Sequence, residues 1–302
     1  MSLPFSERRC VIKIDAHCHT DCSDGSITIE NRIAMIRNAG YEAATITDHD
    51  FISTEQVRRA RIAAGEMPFI PAAEFSSVYQ NKTVHVLGYF LDAENPQLQE
   101  HCLKVQEVDR EVSAQFLREF QKQGAEFGME DLIAPSLHTF YSMQLVKRLA
   151  AELFDNNPTR TLNAFLKIQQ DLKVNYADFA PWPVEEIISL IHQSNGIAVL
   201  AHPGGIDEVV MRRLDFYLHD QAAIEKYTGW GLDGIETRTP VHTQSERHYY
   251  EGIANQLGLL QTAGSDCHGD DDYLGPALMG NFSDVFVDGY ECMLGKWKER
   301  AG

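Results

Sequence analysis

The chain has 302 residues, 44% of them hydrophobic, with 44 acidic side chains against 26 basic ones and a net charge of −18. That length and composition sustain a core without disulfides and exclude a disordered chain, a collagen-like repeat and a small cysteine scaffold. So acidic a surface repels phosphate backbones at long range, which argues against wrapping duplex nucleic acid or lying on a membrane. It does not argue against a small anion drawn in by bound metal.

The six cysteines form no CxxC pair, and the N-terminal residues lack a secretory h-region. No apolar run approaches the ~20 residues needed to cross a bilayer. A reducing, cytoplasmic setting is expected.

In chain order, residues 11–15 read as a strand, 28–39 as a helix, 43–47 as a strand, 54–64 as a helix, and 69–73 and 84–90 as strands. Between 95 and 180 strand-like runs are nearly absent. Pro96 suits a first helical position, and Val105, Val108, Val112, Phe116 and Phe120 make a 3.6-residue stripe. Further helix-like pieces cover 142–154 and 161–171. Pro181-Trp182-Pro183 marks the return. A helix at 184–194, a strand at 197–201, a helix at 209–218, a strand at 234–236, a helix at 245–256 and a strand at 259–263 follow. Such alternation favours a parallel sheet or barrel. The expected organisation is an α/β host of residues 10–94 and 181–290, interrupted at 95–180 by a helical insertion that lids the site.

The chemistry gathers at the strand ends. Alternate strand side chains share a face, so His17 and His19 point together while Cys18 points away, and Asp24 follows in a loop. His49 in Thr47-Asp48-His49-Asp50 and Glu74 in Ala73-Glu74-Phe75 each lie just past an apolar run, and His85 lies within one. Ala201-His202-Pro203-Gly204 and Gly264-Ser265-Asp266-Cys267-His268 complete the pattern. In a parallel barrel all strands end on one face, so six imidazoles and three carboxylates converge there. That donor set suits zinc, manganese or iron, and more than one ion. Of the other histidines, His101, His192 and His219 read as solvated and His248 as a mid-helix residue with no role, while His242 is within reach of the mouth. Packing is the expected role of Cys18 and Cys267; Cys22 is left open.

HxH with a following DG, then TDHD, a Glu, a strand His, AHPG and GSDxH resemble, in that order, the polymerase and histidinol phosphatase (PHP) superfamily of metal-dependent phosphoesterases. The insertion after His85 is similar to that of the subgroup with 3′,5′-nucleoside bisphosphate phosphatases. The resemblance implies a distorted (β/α)7 barrel with a helical insertion domain and a trinuclear site of two or three divalent ions (Mn, Zn or Fe). It implies His17, His19, Glu74 and Asp266 around a first ion, Glu74 with His85 and His202 around a second, and Asp24, His49 and His268 around a third.

The expected activity is hydrolysis of a small phosphate monoester, a nucleotide or a short oligonucleotide end, by a metal-activated hydroxide. The alternatives are a non-nucleotide metabolite phosphatase (histidinol-phosphate-like), a barrel amidohydrolase acting on C–N bonds and a non-enzymatic metal-holding module. Glu74 stands where amidohydrolases use a bridging lysine, and all nine ligand positions are filled, which disfavours the last two. One departure stands out. The subgroup's Arg-x-His element in the insertion is absent, leaving His138, Lys147 or Arg148 to meet the substrate phosphate. Arg238 is a candidate phosphate clamp, His242 a candidate acid, and Glu236 a candidate partner for a histidine ligand.

Overall fold

The structure is a computed structural model that describes residues 12–204, 217–269 and 289–301. Six strands stand in one sheet in chain order: β1 (Ala44–Ile46), β2 (Phe69–Tyr79), β3 (Lys82–Tyr89), β4 (Ile197–Leu200), β5 (Gly234–Arg238) and β6 (Leu260–Ala263). The β1–β2, β4–β5 and β5–β6 pairs are parallel, whereas β3 is antiparallel to both neighbours. This corrects the expectation of a uniformly parallel sheet.

The cause is a hairpin. Gln80 and Asn81, with φ of 51° and 59°, turn β2 directly into β3. Two successive positive φ values match the twist of paired strands. The signal was faint because neither residue is glycine. In this register Ser76 faces His85, which places His85 on the Glu74 face of the sheet.

The expected first strand is a strip of bridges rather than a regular ladder. Ile14 pairs with Ala43 and Cys18 with Cys267. The Ala16 and Asp266 amides donate to Ala263 O at 3.0 Å and His17 O at 2.8 Å. Residues 14–19 thereby lie between the β1 and β6 edges and close the curled sheet into a distorted barrel.

Helices coat it. In α1 (Ile29–Asn38) and α2 (Thr54–Ala64), Thr28 and Ser53 accept backbone N–H groups as N-caps. Ile29, Ile33 and Ile36 pack on Cys18, Cys22 and Cys267, so all three cysteines turn into the core. All three are free thiols.

The long helix α3 (Pro96–Gln121) begins with Pro96 as expected. Its first turns put Leu98 and Cys102 into the barrel-side core. Its last turns put Phe116, Leu117 and Phe120 into a separate cluster with Leu145 and Leu149 of α4 (Tyr141–Leu153) and Ile168 of α5 (Pro158–Leu172). Asp109, buried on α3, accepts the Tyr141 and Ser142 N–H groups at 2.6 and 3.1 Å and thereby caps α4.

The chain returns through α6 (Val184–Gln193), α7 (Gln221–Gly229), α8 (Gln244–Leu257) and α9 (Tyr290–Ala301). Most of the expected helix at 209–218 lies outside the described residues, and Tyr217 and Leu218 are not helical. Among the described residues no helix is long and apolar enough to cross a membrane.

Candidate metal centre

All nine sequence-predicted donors meet at one end of the sheet, around Glu74, which is fully buried in the middle of β2 rather than at a strand end. Its two oxygens look two ways. Oε1 lies 3.0 Å from both His85 Nδ1 and His202 Nε2. Oε2 lies 2.9 Å from His17 Nε2, 3.2 Å from His19 Nε2 and 3.6 Å from His49 Nε2. Asp266 Oδ1 stands 3.1 Å from His19 Nε2 and 3.4 Å from His17 Nε2.

Asp24 gathers a further group of rings. Its Oδ2 is 3.1 Å from His268 Nε2 and 3.6 Å from His49 Nε2, and its Oδ1 is 3.6 Å from His19 Nδ1. Three sets of donor atoms are each compact enough to share one cation: His17, His19, Glu74 and Asp266; His49, Glu74 and His85; and His19, Asp24, His49 and His268. His19 thus faces two sets, one with each ring nitrogen, which residue spacing did not reveal.

The donor chemistry fits cations. His19 Nδ1 and His49 Nδ1 are buried with no hydrogen-bond partner. Burial pulls the His17 and His19 pKa values down. Glu74, Glu236 and Asp266 outweigh it at His17 and hold that ring well above its usual range, and Asp24, Asp266 and Glu74 carry His19 to about 10. Burial drives His49 down to about 3 against Glu74 and Asp24. Burial would raise Glu74 and Asp24 also, but the surrounding imidazoles hold both carboxylates well below their ordinary values. Carboxylates held ionised beside imidazoles whose extra protons a bound cation would displace are the ligand set of a divalent ion.

The frame around the donors is rigid. His17 Nδ1 donates to Glu236 Oε1 at 3.1 Å, and the His202 amide donates to Glu236 Oε2 at 2.8 Å. One carboxylate from β5 therefore orients two ligand histidines, as expected for Glu236. Arg32 of α1, wholly buried, donates to His19 O and Cys267 O at 2.9 and 2.8 Å and ties the first and last ligand segments together. His202 and Asp266 sit at φ of 23° and 52°, strained backbone of the kind that clusters at functional sites. Gly264 is obligatory: a Cβ there would lie 2.1 Å from His17 Cβ.

The other predicted residues fall elsewhere or do other work. Arg238, at the exposed end of β5, pairs with Glu251 of α8 at 2.8 Å. Arg148 is exposed, over the Phe127 ring and 3.4 Å from Glu152. His242 is buried with both ring nitrogens engaged: Nδ1 donates to Thr237 O, and Nε2 accepts from Gly204 N–H. It braces the turn that carries His202. His138 Nδ1 donates to Cys22 O at 2.9 Å, and its ring stacks on Phe51. Lys147 Nζ reaches Gly25 O at 3.5 Å, and Phe140, at the start of α4, stacks on His49 with centroids 5.9 Å apart. The segment from His138 to Lys147 therefore lies over the Asp24 loop and the mouth.

Three histidines expected to be solvated are not. His101 is packed between Phe75 and Trp182, His219 is buried against Pro203, and His192 pairs with Asp233 at 2.9 Å. His101 and His192 belong to helices whose apolar face the sequence alone did not orient, and His219 lies in the irregular segment before α7. His248 lies mid-helix in α8, as expected, and is exposed.

No family model matches the chain. It is 27% identical over 278 residues to the 5′-3′ exoribonuclease Rnm of Escherichia coli, covering 87% of this chain and 88% of that one. It is 26% identical over 260 residues to a 3′,5′-nucleoside bisphosphate phosphatase of Chromobacterium violaceum, covering 84% and 87%. A candidate metal-dependent phosphoesterase from Bifidobacterium adolescentis has the same fold, with a TM-score of 0.72 at 21% identity over 94% of this chain and 96% of that one. The chain is thus similar in sequence to enzymes that cleave phosphate esters and shares the fold of a metal-dependent phosphoesterase, in keeping with the PHP resemblance. The buried donor sets can serve more than one ion, and Glu74 is common to two of the three.

Proposed function

We propose that this PHP-like protein hydrolyses a terminal phosphate monoester of a small nucleotide, a 3′,5′-nucleoside bisphosphate or the end of a short oligonucleotide, in the cytoplasm. The observation that carries this reading is the pair of compact donor sets on either side of Glu74, extended by a third around Asp24. Relatives named for nucleotide and RNA substrates, with coverage across the insertion, support it.

The nine donors would hold two or three ions of manganese, zinc or iron: His17, His19, Glu74 and Asp266; Glu74, His85 and His202; and Asp24, His49 and His268. Such ions supply an acidified water and neutralise charge on the phosphoryl oxygens. The chain's own part is to keep donors and substrate in place. Glu236 keeps the His17 proton on Nδ1, so Nε2 faces the site. Phe140 walls the mouth beside His49. From the insertion, Lys147 and the neutral His138 offer a cation and a polar edge to the phosphate remote from the reacting one, in place of the missing arginine. Duplex nucleic acid and membranes are disfavoured by the net charge of −18.

The test is release of phosphate from p-nitrophenyl phosphate and from a nucleoside bisphosphate, before and after treatment with a strong chelator and after return of manganese, zinc or iron. Loss on chelation with recovery on one of these ions is expected, and chelator-insensitive hydrolysis would refute the reading.

A further inference from the structure

The Asp24 donor set stands on a loop, 20–25, rather than on a strand, so something must hold that loop. Asp48, fully buried beside His49, accepts four hydrogen bonds, and three come from the loop. Oδ1 takes the Thr20 amide at 2.7 Å and Ser23 Oγ–H at 2.8 Å. Oδ2 takes Thr20 Oγ1–H at 2.6 Å and Gln56 Nε2–H, from α2, at 2.7 Å. Thr20, Ser23 and Gln56 are themselves buried. A buried carboxylate with four donors is fully satisfied, and losing its acceptor oxygens would leave several buried donors unpaired. Ser23 Oγ also lies 3.3 Å from Asp24 Oδ1.

We infer that Asp48 is a positioning residue: anchored by Gln56, it fixes the 20–25 loop so that Asp24 completes the His19–Asp24–His49–His268 donor set and no other. This rests on the metal reading of that set. It assigns the first acidic position of the TDHD motif, Asp48, a task distinct from ligation, and it makes occupancy of one ion separable from that of the rest.

The full-length chain, stripped of metal, is titrated with Mn²⁺ by equilibrium dialysis, with thermal midpoints recorded alongside. Asp24→Ala is expected to lose one equivalent. Asp48→Asn is expected to weaken that same equivalent by roughly 10–100-fold and leave the others in place, as removal of a ligand's supporting partner does. In Asp48→Asn the new amide opposes the Gln56 amide. Adding Gln56→Glu converts that clash into a donor–acceptor pair at unchanged net charge, so Asp48→Asn/Gln56→Glu is expected to recover the lost equivalent. Should Asp48→Asn not fold, Ser23→Ala, which removes a single bond, carries the test with the same selective loss. Full retention of metal by these variants while Asp24→Ala loses its equivalent overturns the inference alone, as does an equal weakening of every equivalent. An Asp24→Ala variant that loses no ion overturns the metal reading of that set and the inference with it.

Discussion

Glu236 accepts the Nδ1–H of His17 at 3.1 Å and leaves the opposite nitrogen 2.9 Å from Glu74. The bond decides which nitrogen of His17 keeps its lone pair for the site. Replacing Glu236 by Gln preserves the shape and removes the charge, and it also weakens the acceptor for the His202 amide. Glu236→Gln is expected to lower metal affinity roughly 10–100-fold with little change in fold. Metal titration with circular dichroism checks it, and undiminished affinity would show that the pair is ornamental.

Gly264 brings the end of β6 against His17. An alanine there would meet His17 Cβ at 2.1 Å and Glu236 Oε1 at 2.6 Å, and both belong to the site's frame. Gly264→Ala is expected to destabilise the fold by about 1–3 kcal/mol, the usual penalty for overpacking, and to reduce metal binding in parallel. A denaturant titration measures the first and elemental analysis the second. An unchanged midpoint would mean that the backbone yields there freely.

Lys147 bears on substrate choice. If it meets a second phosphate, Lys147→Met is expected to raise KM for a nucleoside bisphosphate about 10–100-fold, since one charge-assisted bond is worth about 1.5–3 kcal/mol. KM for p-nitrophenyl phosphate, which has no second phosphate, is expected to stay put. Equal effects on both substrates would place Lys147 in the frame of the Gly25 loop instead.

His101 gives a pH signature outside the site. Burial, with Lys104 nearby, lowers its pKa from 6.5 to about 4, so the folded protein keeps it neutral while the unfolded chain protonates it. Its contribution is complete above pH 6.5 and is lost as the pH falls toward 4, about 1–3 kcal/mol in all. His101→Gln is expected to be the less acid-sensitive protein, with a smaller drop in thermal midpoint between pH 7.5 and 5. An identical drop in both would contradict the assignment.

Much of the site was legible because its donors are chemically conspicuous and most lie in or just past an apolar run. His17 and His19 needed only strand alternation to share a face, the expected barrel brought Glu74, His202 and Asp266 to the same mouth, and the division among ions was implied by the PHP resemblance. The α/β host, the insertion and the edges of α2 were legible for similar reasons, since Ser53, Pro96 and the 181–183 turn are local signals. What escaped was set by pairing over distance. The β2–β3 hairpin turns on Gln80-Asn81, which carries no glycine, so the antiparallel run and the route of His85 to Glu74 were missed. His101 and His219 were misplaced because burial of a lone histidine depends on which face a distant element covers. The Asp48 hub was invisible since Thr20, Ser23 and Gln56 are ordinary surface residue types until the loop folds over them.

These nine side chains are expected to cage cations that run a phosphoester hydrolysis. Elemental analysis of the purified protein, before and after exhaustive chelation, measures that directly when coupled to phosphate release. Two or three equivalents of manganese, zinc or iron are expected, lost with the activity and regained with it, and absent together from Glu74→Ala. A protein that hydrolyses phosphoesters at full rate with no bound metal, or one in which Glu74→Ala keeps its full complement, would contradict it.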